Sequence, residues 1–188
     1  MARLKDLDPN HLTPAQRAVY ETIASGPRGR VEGPLRVWVT SPELADKAQV
    51  LGVFCRFGTS LPPRLSELAI LVTGAYWQSG FEWYAHAPLA TRAGIPAAAV
   101  DAIRVGQPPA LQQADEKIVY QFAHELVHSR RVSQPTYVAA VAALGEKTVV
   151  ELVAILGYYA LISMTINAFE VPLPPGEPDP FAAVLRSA

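Results

Sequence analysis

Along most of this 188-residue chain the apolar residues recur every three to four positions, the period of a helix with one buried face. The interruptions between these runs are helix starts and stops. Thr13-Pro14-Ala15-Gln16 supplies an N-cap, a Pro at the first helical position and a Gln placed to close a capping box, and Gly26 stops the helix, which predicts 14–25. From Pro27 to Thr40 the chain is broken by Gly and Pro, and the brief alternation LRVWV (35–39) predicts an extended segment. Ser41-Pro42-Glu43 then opens a helix to about Phe57, and 59–63 breaks the chain again. Further helices are predicted at 64–77, 80–93, 97–105, 114–130, 134–144 and 147–169, with Gly94-Ile95-Pro96 closing one of them as a Gly C-cap. The pattern predicts an all-α, single-domain bundle of about eight helices over residues 1–188, with a Pro-rich tail from Val171 that runs over the surface or over a neighbouring subunit.

Two helices are too apolar for a simple surface position. In 64–77 Leu65, Leu68, Val72 and Ala75 form one stripe, yet Ile70, Leu71 and Gly74 fill the other side, so the helix is buried on more than one face. Residues 152–166, LVAILGYYALISMTI, run fifteen positions without a charge, short of the ~18–20 that a spanning helix needs. A buried core helix is the expectation, with no membrane partner.

Composition narrows the function. Lys plus Arg (16) nearly cancels Asp plus Glu (17), so no electrostatic footprint for nucleic acid or anionic lipid stands out, and small molecules or further copies of the chain are the expected partners. One cysteine, Cys55, leaves no Cys-x-x-Cys pair, no disulfide framework and no multi-cysteine zinc site. The charged start MARLKDLDPN does not read as an export signal, and a cytoplasmic setting is expected.

Three residues carry the candidate chemistry. Glu67 falls on the apolar helix 64–77, where a desolvated carboxylate becomes a usable proton carrier; alternatively it stabilises the helix N-terminus and reaches outward, paired with Arg64. Glu82 and His86 lie one turn apart on one helix face, so the carboxylate can fix the tautomer and tune the imidazole for acid/base work. That spacing lacks the second His of a zinc-protease motif and shows no third ligand, so no metal is expected. Ser79 and Glu82 also fit a capping box. Of the nearby aromatics, Tyr76 and Trp83 are expected to line a substrate pocket. His124 and His128 suit the cation-favouring end of helix 114–130, and Asn167 needs a hydrogen-bond partner, sought across a subunit contact.

The segments SLPPRLSELAILVTGAYWQSGFEWYAHAPLATRAGIP and VSQPTYVAAVAALGEKTVVELVAILGYYALISMTINAFEVPLP resemble the carboxymuconolactone decarboxylase superfamily, which includes the alkylhydroperoxidase D proteins. The resemblance covers about residues 60–174, with 1–59 as a helical extension. It implies an all-helical, alkylhydroperoxidase D-like fold assembled as trimers or hexamers. In the peroxidase branch a Glu is followed by two cysteines and a His; counted from Glu67, those places hold Ser79, Glu82 and His86 here. Both cysteines are absent, so thiol peroxidase chemistry by that route is not available. The decarboxylase branch implies cofactor-free acid/base work on a small cyclic or unsaturated carbonyl or carboxylate compound, by decarboxylation, isomerisation or hydration. His86 would be the acid or base, Glu67 its relay partner, Glu82 a tuning group, Ser79 a substrate contact and Arg64 a carboxylate clamp. Two other functions fit the same residues: a residual peroxidase dependent on Cys55, and an oligomeric ligand-binding protein without turnover.

Overall fold

The structure, a computed structural model, describes residues 3–5 and 7–182, so the last part of the predicted tail, 183–188, lies outside the described residues. It is all-helical, with no strand among the described residues. The elements are α1 (Pro14–Ser25), α2 (Pro34–Trp38), α3 (Pro42–Val53), α4 (Pro63–Tyr76), α5 (Gly80–Arg92), α6 (Ala97–Arg104), α7 (Ala114–Ser129), α8 (Gln134–Leu144) and α9 (Glu146–Phe169). Thr13 caps α1 as the sequence predicts: its Oγ1 accepts from Gln16 N at 3.3 Å and Gln16 Oε1 accepts from Thr13 N at 3.0 Å.

The helix the pattern misses is α2. LRVWV is not extended: Gly33 turns the chain at φ 55°, Pro34 occupies the first helical position, and Leu35 and Trp38 are buried one turn apart. Trp38 Nε1 donates to Thr165 Oγ1 of α9 at 3.0 Å, which ties this short helix to the core. A Cβ at position 33 would strike the Phe81 ring, so the turn needs glycine for space as well as for its backbone angle.

At the centre lies α4, packed on α5, α7 and α9. Every residue from Leu65 to Gly74 is buried. The hydroxyls in this run return to their own helix, Ser66 to the Pro63 carbonyl and Thr73 to that of Ala69, so burial leaves them satisfied. Glu67 is the one charged side chain in the run, and its neutralisation has to come from a neighbouring helix.

Helix α9 is 24 residues long, well beyond its charge-free run, and by length and composition alone it is long and apolar enough to cross a membrane. Yet 61% of its most apolar window is buried inside the bundle, with Leu152, Ile155, Tyr159, Ile162 and Ile166 in the core. Between α3 and α4 the chain takes one wide π turn, Phe54–Gly58. The extra residue turns Cys55 into the core and leaves Arg56 and Phe57 at the protein surface. The tail folds back on its own chain, burying Phe181 edge-on against Trp83 at 5.5 Å.

Candidate active site

The packing of α4 on α5 brings Glu67, Glu82 and His86 together, all three buried. His86 Nδ1 bonds Glu67 Oε2 at 2.6 Å across the two helices. Its other nitrogen, Nε2, lies 3.0 Å from Glu82 Oε1 one turn earlier on α5. That second contact is an ion pair at short range and not a hydrogen bond, because Glu82 Oε1 sits out of line with the ring N–H and has no hydrogen-bond partner. Tyr159 of α9 packs edge-on to the imidazole, with centroids 5.1 Å apart at 82°.

Burial on its own would push the imidazolium toward release of its proton. The Glu82 charge and the Glu67 hydrogen bond outweigh it, and the His86 pKa rises from 6.5 to about 9. At neutral pH the ring is therefore a cation between two carboxylates. Its reactive side is open: Glu82 and His86 line a cavity of about 400 Å3 with Pro34, Leu35, Phe81, Ile162, Tyr158 and Tyr159. Glu67 does not line it and stands behind the ring, where it orients His86.

Sequence reasoning missed most of the remaining wall. Arg28 and Arg30 come from the loop before α2, and Arg56 and Phe57 from the π turn. Two arginines between glycines in GPRGR were the available signal, since a cation held in a tight loop has few ways to escape what the loop covers. A larger, more apolar cavity of about 480 Å3 lies beyond Phe81, lined by Val37, Tyr84, Val171 and Leu173 among others. It contains no histidine and no buried carboxylate.

Several expected site residues lie elsewhere. Arg64 is not a substrate clamp: its guanidinium is held by Asp115 and Glu116 of α7, each at 2.7 Å. It is not paired with Glu67 either, which turns inward to His86. Tyr76 is exposed and packs on Trp77 and His128 on a different face. Trp83 is buried under Phe181 and does not line the cavity. Ser79 is fully buried, away from the cavity lining, and forms no capping box with Glu82. Its N–H already donates to the Gly74 carbonyl at 2.9 Å to close α4, so Glu82 has nothing to accept there and turns to His86. Asn167 finds its partner within the chain, donating to the Trp77 carbonyl at 2.6 Å.

Cys55 is poorly placed for thiol chemistry, since burial pushes its thiol up to about 11 despite the nearby Arg28 charge. Among the described residues no group of three or more His, Cys, Asp or Glu side chains is arranged to hold a metal ion. In the triad both ring nitrogens already face carboxylates.

This bundle, with its buried central helix and its long apolar last helix, has the alkylhydroperoxidase D-like fold. Solved structures carry that assignment at TM-scores of 0.73. A peroxidase-related protein from Silicibacter sp. TM1040 matches at 12% identity, over 93% of this chain and 92% of its own. An alkylhydroperoxidase AhpD core protein from Ralstonia eutropha JMP134 matches at 14% identity, over 93% of both chains. A variant of the debrominase Bmp8, in complex with 2,3,4-tribromopyrrole, matches at 14% identity over 100% of both. No family model and no curated protein matches the sequence.

Proposed function

We propose that the protein is a cofactor-independent acid/base enzyme of the carboxymuconolactone decarboxylase type, acting on a small cyclic or unsaturated carbonyl or carboxylate compound. One observation carries this reading: an imidazolium clamped between two carboxylates, with His86 and Glu82 both lining a cavity of about 400 Å3. Glu67 holds the ring in place and keeps it charged. His86 donates from Nε2 to a substrate oxygen or carbon that gains electron density when carbon dioxide leaves or a neighbouring C–H is ionised. Glu82 takes up a proton from substrate or returns one to the ring. A fold neighbour that holds a small halogenated ring supports a ligand of this size. The thiol alternative has less support here, because the one cysteine is buried and its thiol is held protonated.

The test is solvent deuterium incorporation into a panel of unsaturated and β-keto acids, followed by NMR. We expect His86→Gln to slow exchange by roughly 100-fold or more, the usual contribution of a positioned acid or base. Glu67→Gln, which keeps the shape of its partner, should shift the pH profile as well as the rate. Full exchange by folded His86→Gln would reject the mechanism.

Self-association belongs to the same proposal. Val150 and Leu161, and Val153 and Met164, stand eleven residues apart on α9, so the four exposed side chains share a face, and α3 with the start of the π turn leaves Val50, Leu51 and Phe54 exposed. Sedimentation should show a trimer or hexamer, and Val153→Glu should dissociate it. A wild-type monomer at micromolar concentration would contradict the expectation.

A further inference from the structure

The cavity wall holds a second pair of polar side chains that the acid/base reading does not use. Arg28 Nη2 donates to Tyr158 Oη at 3.3 Å, while Arg28 Nε is buried with no hydrogen-bond partner. A buried guanidinium N–H without an acceptor is an expensive arrangement that an anion would relieve. Because Tyr158 Oη accepts from Arg28, its own hydrogen is available to a second acceptor. Two donors, one of them charged, thus line the same cavity as His86 and Glu82.

The chain also keeps this pair in place at a sequence cost. Gly52 of α3 faces it, and a Cβ there would collide with both the Tyr158 hydroxyl and the Arg28 guanidinium. The acids of the wall are engaged elsewhere. Glu32 pairs with Arg30 Nε at 2.8 Å. Glu82 pairs with the His86 cation, which it shares with Glu67. Arg56 lies over the Phe57 ring at 5.2 Å and adds a second cation at the mouth.

We propose that Arg28, through its free Nε–H, and Tyr158, through its O–H, form an anion-recognising subsite that makes a small monocarboxylate with an apolar body the ligand class of this cavity. The inference rests on the acid/base reading for what happens at His86 and Glu82, and on Arg28, Tyr158 and Gly52 for what is recognised. Pro34, Leu35, Phe81 and Ile162 supply apolar wall of the same cavity. Burial pushes the Tyr158 phenol up to about 12, so it stays a donor across the working range. A carboxylate gripped here points the rest of a small ring toward His86.

The test is a titration of the full chain with benzoate and with benzamide, its neutral isostere, followed by tryptophan fluorescence and amide NMR shifts. Wild type should bind benzoate about tenfold or more tightly than benzamide. Arg28→Gln and Tyr158→Phe should each weaken benzoate more than benzamide and so reduce that preference, with Arg28→Gln removing most of it. Arg28→Lys, which keeps the charge and loses the fork, should restore only part. Gly52→Ala, which leaves all the donors in the chain but displaces them, should weaken benzoate too, and it decides the matter if Arg28→Gln does not fold. Equal binding of the two probes, no benzoate binding by wild type, or an undiminished preference in folded Arg28→Gln overturns the proposal. Because the readout is binding, an Arg28-dependent preference without deuterium exchange would reject the acid/base reading and keep this one; exchange without the preference does the reverse.

Discussion

Arg64 and Glu67 stand three residues apart on α4, and each enters a cluster of three charged side chains with opposite outcomes. The Arg64 cluster is closed. Its two terminal nitrogens bond Asp115 and Glu116 at 2.7 Å, and Glu116 Oε2 accepts the backbone N–H groups of Gln112 and Gln113 at 3.1 Å, which caps α7. The Glu67 cluster is open. Glu82 Oε1 has an ion pair with His86 but no hydrogen bond, and both side chains line a cavity. A closed ion cluster fastens two helices; an open one keeps charge in reserve for a ligand. The two also separate the roles of α4, which locks onto α7 through Arg64 and presents chemistry to α5 through Glu67.

The largest expected effect comes from breaking the closed cluster. Arg64→Met keeps the length of the side chain but leaves Glu116, whose side chain is 1% exposed, without its counter-charge. Urea unfolding should show a loss of about 3–5 kcal/mol, the usual result of removing one partner from a buried ion pair. The His86 titration followed by NMR should not move. If it does, the two clusters are coupled through α4 and the contrast between them fails.

Next comes pH, where the clusters should respond at opposite ends of the scale. His86 is raised from 6.5 to about 9, so the stability it contributes, about 3 kcal/mol, is fully present below pH 6.5 and lost as pH rises toward 9 and beyond. Asp115 is held below 3.8 chiefly by its hydrogen bond to Arg64, so its contribution is present above that value and lost as pH falls. The difference in urea stability between wild type and His86→Gln should therefore shrink between pH 6.5 and 9. A difference that stays constant over this window would mean that the buried imidazole is neutral.

Periodicity and punctuation predict eight of the nine α-helices among the described residues, because capping residues and Gly or Pro stops are local chemistry that tertiary packing leaves intact. They fail at α2, where Leu35 and Trp38 are anchors one turn apart on a five-residue helix too short to display a period. That miss also hid the loop that brings Arg28 to the cavity. Glu67 is legible as a charge on the apolar helix α4, and Glu82 and His86 as an acid and an imidazole one turn apart on α5. Arg64 misled for a physical reason: the position of an arginine in sequence does not reveal whether acids from α7, fifty residues away, already occupy its fork.

The smallest expected effect separates two sequence signatures that look alike. Thr13-x-x-Gln16 and Ser79-x-x-Glu82 both read as capping boxes, and only the first forms one. Thr13→Ala should cost about 1 kcal/mol, the usual value of a lost N-cap. Ser79→Ala should cost almost nothing, because its buried Oγ has no hydrogen-bond partner to lose and a methyl group suits that pocket. Thermal melting of the two variants side by side is sufficient. A loss at Ser79 as large as that at Thr13 would show that the hydroxyl has a partner after all, and with it a reason for Ser79 beyond closing the turn between α4 and α5.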